Sequence, residues 1–166
     1  ERKLAEEQAS RRADEFAMLY DTAHHLAQSQ GDLKSVLQVI GNRAASLLGS
    51  SAAGFYLYNA AHGDLNLAVR VGDMFPPGIV RLKIGQGASG RAAQNRTSII
   101  VDDYATWEHR SDIFDGLDIN AVLCVPMLYS REMIGVLTIG ETGNSKRKYT
   151  EVEARLLELF ASQAAA

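Results

Sequence analysis

Gly85, Gly87 and Gly90 stand at Gly-x-Gly-x-x-Gly spacing in GQGASG, the spacing with which a loop can cradle the pyrophosphate of a dinucleotide. A short extended piece, Arg81–Ile84, comes before them; Arg91–Asn95 and then Ser98–Asp103 come after. Strand, glycine loop, helix, strand and acidic end is the order of a nucleotide crossover. Length decides against it. A crossover between parallel strands takes a dozen or more residues, mostly helix, and the run from Gly90 to Arg96 is barely two turns. Arg81 and Lys83 also charge a strand that should be almost wholly apolar at the centre of a parallel sheet. The glycines are therefore expected to form a tight structural loop that turns into a short helix close to a sheet.

The other reactive side chains are dispersed. Cys124 is the single cysteine, which excludes an internal disulfide and a multi-cysteine zinc site. It lies mid-strand in AVLCVP, where a buried thiol is expected to be inert. His24 and His25 are adjacent on a helical pattern and point about 100° apart, so they do not converge on one metal. His62 falls in a turn. His109 sits among Trp107, Glu108, Arg110 and Asp112, and reads first as a solvated loop residue and second as a ligand contact. Asp102 and Asp103 end a strand and are expected to cap the next loop. Neither a metal-ligand spacing nor a Ser-His-Asp arrangement is present.

These residues are carried by a regular succession of elements. Residues 4–30 lack Gly and Pro and read as one helix, charged in its first half and apolar-striped in its second. A helix with so little to bury within its own domain is expected to pack against a second copy or a neighbouring domain. Leu33, Val36, Leu37, Ile40, Ala44, Leu47 and Leu48 then recur at helical spacing and end at Gly49. The period changes to two in AAGFYLYN and LNLAVRV, a hairpin around a polar turn. NAVLCVPMLY and REMIGVLTIGE form a second hairpin, turning near Ser130. YTEVEARLLELFA is a helix with Thr150 as N-cap and Glu153 at the capping-box position.

With 166 residues, 46% of them hydrophobic and 22% charged, the chain has the size and composition of one globular domain. Its net charge of -3 gives no basic field for nucleic acid. No apolar stretch approaches the ~20 residues of a membrane span, so no direct membrane insertion is expected and the localisation is read as cytoplasmic. The chain opens on Glu1 and stops within a helical pattern, which suggests a piece of a longer protein. Residues 1–30 are taken as a signalling or dimerisation helix and 31–166 as the domain itself.

The ordered set LLGSSAAGFYLYN, RLKIGQGASGRAAQNRTSIIVDD, NAVLCVPMLYSREMIGVLTIGE and YTEVEARLLELFASQAA resembles a GAF domain, the sensory module of signalling proteins. The resemblance covers about Leu33 to Ala165. It implies an α+β, PAS-related architecture: an antiparallel sheet of five or six strands, N- and C-terminal helices on one face, and a ligand pocket on the other. Bilin-binding members attach the chromophore through a cysteine over the pocket. The comparable segment here, YATWEHRSDIFDGLD, has none, so no covalent bilin is expected. A sulfoxide reductase of this family would need more than one cysteine. The Asn-Lys-Phe-Asp-Glu signature of cyclic-nucleotide members is matched only loosely by Asn144, Lys146, Tyr149 and Glu153, with Ala154 at the final position. A surface Lys–Glu pair is the plainer expectation there.

The family architecture implies a lining from Phe55, Leu57, Val122, Cys124, Val136 and Thr138 on the strands. Tyr104, Trp107, His109, Ile113 and Phe114 would come from the cover. Such a lining suits a small organic molecule and equally suits a core filled by its own side chains, and a one-residue slip exchanges the faces. The resemblance thus implies a non-enzymatic regulatory module of a sensor histidine kinase or cyclic-dinucleotide enzyme. It would respond to an unidentified ligand, dimerise through its terminal helices and act on an adjacent effector domain. A ligand-free dimerisation spacer is the alternative, with cyclic-nucleotide or chromophore binding below it.

Overall fold

A computed structural model describes residues 33–165; the helix expected over residues 1–30, His24, His25 and the Asp32 cap lie outside them. Helix α1 (Leu33–Leu48) buries Val36, Leu37, Ile40, Ala44 and Leu48, the face that the spacing predicts. It stops where Gly49 takes φ +62°. The Ser50 amide then donates to the Ala45 carbonyl (2.8 Å) and the Gly49 amide to Ser46 (3.1 Å), a Schellman ending.

The strands are β1 (Ala52–Asn59), β2 (Asp64–Val71), β3 (Arg81–Lys83), β4 (Ile99–Val101), β5 (Ile119–Tyr129) and β6 (Glu132–Thr142). Helix α2 (Gly87–Asn95) separates β3 from β4, and α3 (Glu151–Ala165) closes the chain. The strands form one sheet in the order β3-β2-β1-β6-β5-β4, with antiparallel neighbours throughout. The β5–β6 hairpin turns on Ser130 and Arg131, both at positive φ, as a twist-matched two-residue turn requires.

Helices α1 and α3 cover one face, over Phe55, Leu123, Val125, Leu137 and Ile139. Helix α2, the β2–β3 loop and residues 102–118 cover the other, over Tyr56, Val122, Cys124 and Val136. Two covered faces explain why β1 is buried without alternation from Ala52 to Tyr56.

The glycine loop now has its place. β3 and β4 are at opposite edges of the sheet, so α2 carries the chain across a sheet face and joins no parallel neighbours. Gly85 has φ +91°, and a Cβ on Gly90 would stand 2.6 Å from the Lys83 carbonyl oxygen. Helix and strand touch at backbone distance there. Gly90→Ala is expected to cost about 1–3 kcal/mol through overpacking, read as a lower urea midpoint; an unchanged midpoint would contradict this close approach.

The two terminal helices are joined by a polar cluster. Glu141, 6% exposed, accepts from the Tyr149 hydroxyl (3.0 Å), the Ser51 amide (3.2 Å) and the Ser145 hydroxyl (3.0 Å). Arg147 donates to the Gly49 carbonyl at the end of α1 (3.1 Å) and pairs with Glu153 on α3. Thr150 and Glu153 form the expected capping box, the Glu153 amide donating to Thr150 Oγ1 (3.2 Å) and the Thr150 amide to Glu153 Oε1 (3.0 Å). The pair expected between Lys146 and a glutamate is instead made by Arg147, and it is half-buried.

Candidate functional site

The face opposite α1 and α3 holds a partly open cavity. Its floor is Tyr56, Ile119, Val122 and Thr138 from β1, β5 and β6; Ala88 and Ser89 from α2 close one side. Met74 and Phe75 from the β2–β3 loop, with Tyr104 and Phe114 from the cover, form the roof. The free space is about 20 Å³, room for about one water. Phe75 stands edge-on to Tyr56 (centroids 6.1 Å apart) and Phe114 edge-on to Tyr104 (5.9 Å), the favourable geometry for aromatic pairs.

The cover is held by a relay from the glycine loop. The Lys83 amide donates to Gln86 Oε1 (3.0 Å), Gln86 Nε2 to the Ser111 hydroxyl (2.9 Å), and the Ser111 amide to the Tyr104 hydroxyl (2.8 Å). Asp103 accepts from the Ala105 amide (3.2 Å) and caps the turn Tyr104–Thr106, as expected of the acidic strand end. Burial raises the Tyr104 pKa, and the Ser111 amide opposes that rise.

Polar atoms on the floor are few. The Ser89 and Thr138 hydroxyls are 2.7 Å apart, and each lies 3.5 Å from the Cys124 sulfur. Cys124 is fully buried, and desolvation pushes its thiol up to about 11. The unfolded chain therefore releases this proton first. The stabilisation is complete below the ordinary value of 9.0 and is lost as pH climbs toward about 11. Relative to Cys124→Ala, the wild type should lose about 2–3 kcal/mol across that window in urea titrations. Parallel curves would contradict the burial.

Of the residues expected to line a pocket, Tyr104, Phe114, Thr138 and Val122 do so. Cys124 and Val136 lie in the apolar cluster beneath them. Trp107 rests on the outer side of Tyr104 (5.8 Å between centroids), with His109 edge-on beyond it (5.5 Å). His109 Nδ1 accepts from Arg91 (2.8 Å), and its ring lies 3.2 Å from Glu108. Ile113 faces outward, 36% exposed.

Phe55 and Leu57 are on the other side of the sheet, against the terminal helices. The register explains it: Tyr56 pairs with Val136 and Phe55 with Leu137, and directly paired residues share a face. Tyr56, Met74, Phe75, Ser89 and Ile119 were not singled out in the sequence. Thr138 and Val136 would have pointed to Tyr56 had the β1–β6 register been readable. Among the described residues, no group of three His, Cys, Asp or Glu side chains is gathered to hold a metal ion, and no helix is long and apolar enough to cross a membrane.

A family model for the GAF domain matches residues 30–166. The Nif-specific regulatory protein of Herbaspirillum seropedicae is 28% identical over an alignment of 159 positions that covers 89% of this chain and 28% of that protein's length. The chain also resembles the GAF domain from a phosphoenolpyruvate-protein phosphotransferase of Coxiella burnetii (TM-score 0.72, 18% identity, 92% of each chain). Free methionine-R-sulfoxide reductase from Neisseria meningitidis is similar as well (TM-score 0.69, 21% identity, 90% of this chain and 87% of that one). At these identities the structural likeness is one of fold.

Proposed function

The chain belongs to the GAF domain family, and from that premise we propose that it is a cytoplasmic regulatory input module of a longer signalling protein. A small molecule in this cavity biases the cover segment, and the terminal helices pass that bias to a neighbouring domain. One observation carries the reading. β1, β5 and β6 wall the cavity with Tyr56, Val122 and Thr138, and the residues between their neighbours, such as Phe55 and Leu137, hold α1 and α3. A shift of these strands is felt on both faces because packed interiors transmit strain.

The relative being a regulatory protein supports the regulatory role. The output is an adjacent domain of the same chain, for which a sensor kinase or cyclic-dinucleotide enzyme remains the sequence-based expectation. Reductase chemistry is not part of this reading, since Cys124 is the lone, buried cysteine. A homodimer seam through the terminal helices is supported by Val152 and Leu159, one heptad apart on α3 and 39% and 44% exposed.

A second reading, a ligand-free dimerisation spacer, is favoured by the small free volume of about 20 Å³. Mass spectrometry of small molecules released from the purified domain separates the two. For a true ligand, re-addition at ~100 Kd adds about 2.7 kcal/mol and raises the melting midpoint by roughly 5–11 °C. No released molecule and no shift with cell extract would favour the spacer.

A further inference from the structure

Tyr56 is 1% exposed, and its hydroxyl makes no hydrogen bond among the described residues. Every fully enclosed side-chain nitrogen or oxygen described has a partner. The Tyr56 oxygen, having none, borders the open space of the cavity that this residue lines. The hydroxyl has no protein partner in that space, so a group that enters and displaces water is favoured when it bonds the hydroxyl and disfavoured when it leaves it unpaired. The Ser89 and Thr138 hydroxyls on the same lining satisfy each other at 2.7 Å, and the remaining walls are apolar or aromatic.

Among the described residues, no charged side chain lines this space. The cation whose field reaches Tyr56, Arg70, is exposed and donates to the carbonyls of Pro76 and Gly78 in the roof loop. A carboxylate or phosphate entering here would lose its water and gain no counter-charge, a heavy penalty. Burial also drives the Tyr56 pKa upward, so the phenol stays neutral and can either donate or accept.

Resting on the reading that the cavity takes a small molecule, we infer that its ligand is a small uncharged compound, apolar over most of its surface. It carries one hydrogen-bonding oxygen that meets the Tyr56 hydroxyl. Cyclic nucleotides and other anions fall outside this class. Free space for about one water means that a wall must yield. Phe114 is that wall: it is half-buried on the short turn Asp112–Phe114, whereas Tyr104 is pinned by Ser111.

The test uses three probes of one size, phenol, toluene and benzoate, titrated calorimetrically into the wild-type domain and into Phe114→Ala, which opens the roof. The expected result is binding of phenol to Phe114→Ala, with benzoate at least about 100-fold weaker. Adding Tyr56→Phe should weaken phenol about 2–10-fold and leave toluene unchanged. Benzoate binding as tightly as phenol, or phenol indifferent to Tyr56→Phe, overturns the inference and leaves a small-molecule pocket standing. If no probe binds either folded protein, both the inference and the pocket reading fall.

Discussion

Phe55→Ala is expected to lose about 3–5 kcal/mol of stability, while Tyr56→Phe, one residue along, stays within about 0.5 kcal/mol of the wild type. Both side chains are buried, at 0% and 1% exposure, so burial alone predicts no such contrast. The face decides it. Phe55 pairs across to Val69 and Leu137 and belongs to the core beneath α1 and α3. Its truncation leaves a void that close-packed neighbours cannot collapse to fill. The Tyr56 hydroxyl gives up no partner when removed, so its loss carries little cost. Urea unfolding followed by far-ultraviolet circular dichroism measures both. Similar losses for the two variants, or a small one for Phe55→Ala, would contradict the assignment of faces.

Glu141→Ala is the second large effect, about 1–3 kcal/mol. The carboxylate holds three donors and stands 4.0 Å from an Arg147 guanidinium nitrogen. Arg147 is only 28% exposed and lies over the Tyr149 ring, 4.9 Å from its centroid. Removing the acid leaves the Ser51 amide and the Ser145 hydroxyl short of an acceptor, while Arg147 keeps Glu153 and the Tyr149 hydroxyl keeps Ser50 at 2.7 Å. Glu141→Gln, whose amide oxygen still accepts, should recover about 0.5–1.5 kcal/mol of the loss. In urea unfolding, a Glu141→Gln variant no more stable than Glu141→Ala would contradict the hydrogen-bonding role. The same cluster ties Gly49–Ser51 to the start of α3, so Glu141→Ala is also expected to loosen one terminal helix from the other.

How much of this was legible in the sequence follows from what each feature depends on. The α1 stripe, the Ser130 hairpin and the Thr150–Glu153 box rest on residues within a few positions of one another, and local chemistry sets them. The glycine loop was readable by length: nine residues of helix cannot serve a parallel crossover. The pocket face of β1 was not readable. β1 pairs with β6 some eighty residues later, with no shared turn to set the register, and covering on both faces removes the alternation that parity needs. Phe55 and Leu57 were placed on the pocket side for that reason. The switch from Lys146 to Arg147 as the partner of Glu153 has the same origin, since which cation turns inward depends on the position of Gly49 and not on spacing within the loop.

Amide hydrogen exchange across residues 151–165 of Phe114→Ala, with and without saturating phenol, tests the central claim most directly. If occupancy of the cavity is felt through the sheet, exchange slows in the cover, residues 104–114, and also in α3 on the opposite face. Slowing confined to the cover, with α3 unchanged while phenol is bound, would mean that the two faces are independent and the relay does not exist.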